Sequence, residues 1–132
     1  MTRSGTLLLI VLTLFGLAAC STSKPLLNPD QGLPPDREYS QVEVQHAIIS
    51  ALQARGWRVG RVDPTQIYAS ISVRQRHHAS VVIEYSPIDF KIRYRSSQGL
   101  DYEEGTIHRN YNRWINNLRA EILHQLNTPK TL

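Results

Sequence analysis

The sequence predicts an α+β domain in which a helix, a four-stranded antiparallel meander and a second helix follow one another, with both helices packed on one sheet face. Three observations lead there. Apolar residues recur at helical spacing at Val44, Ala47, Ile48, Ala51 and Leu52, and again at Ile107, Tyr111, Trp114, Ile115, Leu118, Ile122 and Leu126. Between these stretches the period falls to two, and only short turns separate successive runs, which requires antiparallel neighbours. Each helix carries one apolar stripe and each long strand one apolar face, so two layers bury both and leave the far sheet face open.

The chain has 132 residues, enough for one modest domain once its beginning is set aside. Arg3 gives a short positive region, Leu7 to Ala19 are apolar except for Thr13 and Gly16, and small residues close the run. That is the pattern of an export signal over residues 1–19, whose thirteen-residue apolar run reaches only roughly 20 Å as a helix, too short to span a hydrocarbon core of about 30 Å. Leu17-Ala18-Ala19-Cys20 resembles the lipobox of bacterial lipoproteins. The resemblance implies that Cys20 becomes the N-terminus and carries acyl chains, anchoring the protein to a membrane without crossing it. A single cysteine in an exported chain fits that role, because an unpaired thiol can otherwise form only intermolecular disulfides. Ser21 is not the aspartate that resembles an inner-membrane retention signal, so the expected location is the periplasmic face of an outer membrane. Residues 20–38 contain Pro25, Pro29, Pro34 and Pro35 among polar residues. They read as a lipidated cysteine followed by a flexible tether that holds the domain of residues 39–128 up to ~50 Å from the bilayer.

The first helix is expected over 41–55. Ser40 is placed to cap it, Glu43 to close a capping box, Tyr39 and Val44 to form a hydrophobic staple, and Gly56 to take the left-handed position that ends it. Trp57 and Val59 begin a short strand. Ala69, Ile71 and Val73 then alternate with Tyr68, Ser70, Ser72 and Arg74. A turn is expected at His77-His78, followed by Ala79, Val81, Ile83 and Tyr85 on one face of the next strand. After Ser86-Pro87-Ile88-Asp89, the residues Phe90, Ile92 and Tyr94 alternate with Lys91, Arg93 and Arg95. The last helix follows, with Asp101, Glu103 and Glu104 before it to complement the positive end of its dipole.

"GWRV", "RQRHHASVVIEY", "IRYRSSQGLDY" and "IHRNYNRWINNL" occur in that order. Over about residues 45–122 they resemble a group of small, mostly uncharacterised proteobacterial lipoproteins that share a Tyr-Asn-x-Trp-x-x-Asn-Leu helix. What the resemblance implies is location and fold; it brings no activity.

Several residue sets are candidates for chemistry. His77, His78 and His108 invite a metal, but neighbouring strand residues face opposite ways and no carboxylate stands at ligand spacing, so solvated turn histidines are expected and neither metal nor cofactor. Among signatures, G-x-S-x-G, H-E-x-x-H and a phosphate-cradling glycine loop are all missing from the sequence. The expectation is a protein that is not an enzyme, the alternative being a small periplasmic enzyme using Asp101, Glu103 and Glu104. Tyr111, Trp114 and Leu118 are expected in the core, with a ligand groove between the helices as the alternative, and Asn117 at the stripe's edge to bond a strand end or loop. The functional lead is charge. Residues 57–95 hold seven basic residues against three acidic ones, and Arg74, Lys91, Arg93 and Arg95 are expected to share the open sheet face. Such a face suits anionic envelope lipid or an acidic envelope protein; an exported chain does not meet nucleic acid.

Overall fold

The computed structural model describes residues 22–128. The segment expected to be an export signal, Cys20 and Ser21 lie outside the described residues. In chain order the elements are β1 (Ser23–Pro25), β2 (Asp30–Gly32), α1 (Gln41–Ala54), β3 (Arg58–Val62), β4 (Gln66–Val73), β5 (His77–Tyr85), β6 (Asp89–Gln98), β7 (Thr106–His108) and α2 (Arg109–Asn127).

Local chemistry sets the limits of α1. Ser40 has extended backbone and its Oγ accepts from the Glu43 N–H at 3.1 Å. The Glu43 carboxylate turns to Arg37 at 2.9 Å instead of completing the box. At the other end Gly56 takes φ +78°, and the N–H groups of Gly56 and Trp57 donate to Gln53 O and Leu52 O, a Schellman closure. α2 is capped differently: His108 Nδ1 accepts from Asn110 N–H at 3.1 Å. The first turn of α2 holds no acidic residue. Asp101, Glu103 and Glu104, expected to complement its dipole, precede β7 and not the helix directly.

The expected meander is present as β3-β4-β5-β6, all antiparallel, but it is not the whole sheet. β2 pairs with β6, giving the five-stranded order β2-β6-β5-β4-β3, and β1 with β7 forms a separate antiparallel pair. The flexible tether expected over residues 21–38 is corrected accordingly. Both added strands are three residues long and lie at edges, where a proline's missing N–H does no harm, so Pro25 sits in β1 opposite Thr106. Leu26 and Leu27 pack against the core and Leu33 is buried in it.

One core joins both helices to the inward positions of the strands: Ile48 and Leu52 from α1, Ile67, Val81, Ile83, Phe90 and Ile92 from the sheet, and Tyr111, Ile115, Leu118 and Ile122 from α2 are all fully buried. α1 lies against β3 and β5, while α2 packs along α1 and against β1 and β7. Trp114 is half-buried at the core's margin, not central to it. No described helix is long and apolar enough to cross a membrane.

Candidate functional site

The outward sheet face gathers cations around one aromatic ring. Tyr68 projects from β4; the Arg61 guanidinium carbon lies 4.5 Å from its ring centroid and that of Arg95 lies 4.7 Å away. Arg61 Nη2 also donates to the Tyr68 hydroxyl at 3.1 Å, and that hydroxyl donates to Gln66 Oε1 at 3.1 Å. Arg58, Arg61, Tyr68, Ser70 and Arg95 line an open cleft of about 420 Å³.

Two β-bulges lie at this convergence. On β3, Val59 opposes Ala69 and Val62 opposes Ile67, so Gly60 and Arg61 together face Tyr68. On β6, Ser96 opposes Ser80 and Tyr94 opposes Val81, so Arg95 is the extra residue. A bulge turns its residue out of strict alternation, and the one on β3 turns Arg61 toward the ring, while Arg95, at the β6 bulge, keeps the outward side that alternation gives it. Each cation over the negative face of the ring gains about 0.5–1 kcal/mol at an exposed position, which offsets part of their mutual repulsion. One carboxylate, Asp63, answers Arg61 at 3.0 Å. Among the described residues, Arg58 and Arg95 have no carboxylate within ion-pair distance. Three guanidinium groups against one carboxylate leave the cleft with a net charge of two positive.

Of the four expected basic residues, the structure brings Lys91, Arg93 and Arg95 to one face and removes Arg74. β4 ends at Val73, and Arg74 with Gln75 forms the centre of a tight turn, at φ +53° and +57°. Both central residues of a type I′ hairpin turn need positive φ, so the reversal falls before the histidines, and His77 and His78 open β5. Arg93 is on the face but engaged: its guanidinium donates to Asn28 O at 2.9 Å and forms a close ion pair with Asp30. Alternation gave Tyr68 its outward side but missed Arg61 as its neighbour, and Arg58 was not among the expected residues; the glycine in "RVGRV" is the one sequence signal for a bulge there.

Two of the remaining candidates, His77 and His108, have structural partners. His77 Nδ1 lies 2.7 Å from Gly99 O, and His108 caps α2. Among the described residues, no three His, Cys, Asp or Glu side chains gather where a metal ion would fit. Asp101, Glu103 and Glu104 are exposed, and Glu104 with Gly105 forms another positive-φ turn, closed by hydrogen bonds between Glu103 and Thr106. Asn117 is exposed, and the hydrogen-bonding role expected of it falls to Asn112. Asn112 Oδ1 accepts from Leu27 N–H at 3.0 Å and its Nδ2 donates to Pro25 O at 2.8 Å.

In comparisons with known proteins, no family model, no curated protein and no solved structure matches the chain.

Proposed function

We propose that this protein is a lipoprotein held by acylated Cys20 at the periplasmic face of an outer membrane, and that it works without catalysis, as a binding module for an anionic component of the envelope. The export signal ending in Leu-Ala-Ala-Cys supports the location. The observation that carries the binding role is the cleft in which Arg58, Arg61 and Arg95 surround Tyr68 with a single carboxylate to balance them. A phosphate is the ligand chemistry this favours: guanidinium forks match its oxygens, and its charge relieves the repulsion between the arginines.

Sedimentation of the chain from residue 22 with phosphatidylglycerol vesicles, against phosphatidylcholine vesicles, tests the role. Each cation near an anionic surface contributes about 1 kcal/mol, so Arg61→Gln with Arg95→Gln is expected to weaken binding by roughly 30-fold at 0.1 M salt. Binding of the parent protein falls at 1 M salt, where the Debye length shrinks from about 10 Å to about 3 Å. The melting transition moves little, because exposed ion pairs contribute at most about 1 kcal/mol. Unchanged vesicle binding in the folded double variant would reject the cleft as the binding site.

A further inference from the structure

We infer that the domain is held flush against the bilayer, with the 101–106 turn and the first turn of α2 set into a zwitterionic phospholipid headgroup layer. This rests on the acylation of Cys20. The argument is about length. From Thr22 onward the chain is fixed to the domain: Arg109 N–H donates to Thr22 O at 2.8 Å, β1 pairs with β7, Leu26 N–H donates to Gly105 O at 2.8 Å, and the Asn112 amide grips Pro25 and Leu27. Farther along, Asn28 Oδ1 accepts from Tyr94 N–H at 2.9 Å and Asp30 holds Arg93. Only Ser21 lies between Cys20 and Thr22. Two Cα–Cα steps of about 3.8 Å give a reach of at most about 8 Å. A headgroup layer is itself roughly 5–7 Å thick on each side of the hydrocarbon. The start of α2 therefore has no room to stand clear of the lipid.

The surface at that end has a composition that suits the contact. Lys24, Arg109 and Arg113 are exposed there, as are Asp101, Glu103 and Glu104. With Arg74 and Arg76, exposed in the turn beside Gly99, five cations and three anions lie at this end, and headgroups that carry both signs offer partners to each. Tyr102 is 46% exposed while its ring stacks on Tyr94 with centroids 4.5 Å apart, so an amphipathic ring is already ordered at the level where tyrosine favours a bilayer interface. The opposite end of the sheet, the turn at Ser86–Asp89, is separated by the ten residues of β6, about 30 Å.

The test uses the full chain as processed in cells, placed in phosphatidylcholine nanodiscs, beside a variant with about fifteen Gly/Ser residues inserted between Ser21 and Thr22, a linker spanning roughly 20 Å. Intact mass reads acylation, a melt confirms that both domains fold alike, and hydrogen exchange reads contact. Amides of residues 101–106 and 109–112 are expected to exchange several-fold more slowly in the parent than in the insertion variant, while those of residues 86–89, at the far end of β6, exchange alike in both. Acylated proteins with equal exchange at 101–112 overturn the contact and leave the lipoprotein reading standing. Slowing at 86–89 instead assigns the wrong end and overturns the contact as well. An unacylated N-terminus overturns both.

Discussion

Replacing Asn112 with alanine is expected to release the N-terminal strap while leaving the core folded. The side chain makes two hydrogen bonds to the backbone of a segment more than eighty residues away, accepting from Leu27 N–H at 3.0 Å and donating to Pro25 O at 2.8 Å. A typical intramolecular hydrogen bond contributes about 0.5–1.5 kcal/mol net, so the pair stabilises the closed strap by about 1–3 kcal/mol. The upper half of that range applies if water does not reach the part-buried Leu27 N–H. Converted at 1.4 kcal/mol per factor of ten, strap opening becomes roughly 5- to 150-fold more frequent. Amide exchange resolved at residues 22–32 measures it, since local opening is what such exchange reports. The residues of β4 and β5, at the centre of the five-stranded sheet, keep their exchange rates. Identical exchange at Leu27 in Asn112→Ala and the parent would refute the reasoning: the strap would then be held by the β1–β7 and β2–β6 ladders alone.

Tyr111→Phe is expected to stabilise the protein by about 1 kcal/mol, because the buried Tyr111 hydroxyl has no hydrogen-bond partner among the described residues. Burial first, and the nearby Tyr94 phenol second, push the Tyr111 phenol well above the ordinary tyrosine value. The unfolded chain thus loses that proton near pH 10 while the folded one keeps it, so stability present below pH 10 is lost as pH rises beyond it, and melts at pH 8 and pH 11 should show a smaller fall for Tyr111→Phe. Trp114→Ala is expected to cost about 1–2 kcal/mol by denaturant titration, below the 3–5 typical of a fully buried aromatic, because the indole is half-buried at the core's margin. Cys20→Ser should leave an uncleaved, unacylated precursor, and a free thiol on the N-terminus of the parent protein by mass spectrometry would count against the anchor.

Where the determinants of structure are local, the sequence was a good guide. The limits of α1 follow from Ser40 and Gly56, which act on backbone groups within three residues of themselves. β3 to β6 follow from alternation because one face of each is buried, and a one-residue slip would expose every apolar side chain on it. The strap was not legible for the opposite reason. β1 and β2 are three residues each, carry two of their six residues as proline and glycine, and gain their stability from partners 57 to 85 residues away. Leu26, Leu27 and Leu33 were the available signal, three apolar residues in a stretch otherwise resembling a linker.

The candidate site was half legible, and the missing half explains its geometry. Charge counting located the basic balance in the meander, and alternation put Lys91, Arg93 and Arg95 on one face, but period-two reasoning assigns Arg58 and Arg61 to opposite faces of β3. A one-residue bulge reverses that assignment for Arg61 and is nearly invisible in sequence, since it changes no hydrophobic pattern beyond its own position. Gly60 shows the constraint: a Cβ there would stand 3.2 Å from Tyr68 O, so the β3 backbone approaches β4 at the same residue that bears the ring. The close approach, the bulge and the ring together bring Arg61 onto Tyr68, and Arg95 reaches the same ring from two strands away. Two irregularities that each interrupt ladder hydrogen bonds, and like charges crowded onto one tyrosine, work against folding stability. A solvated sheet face would be better served by regular strands with their charges dispersed, so the cluster is where a bound anion would recover what the fold gives up.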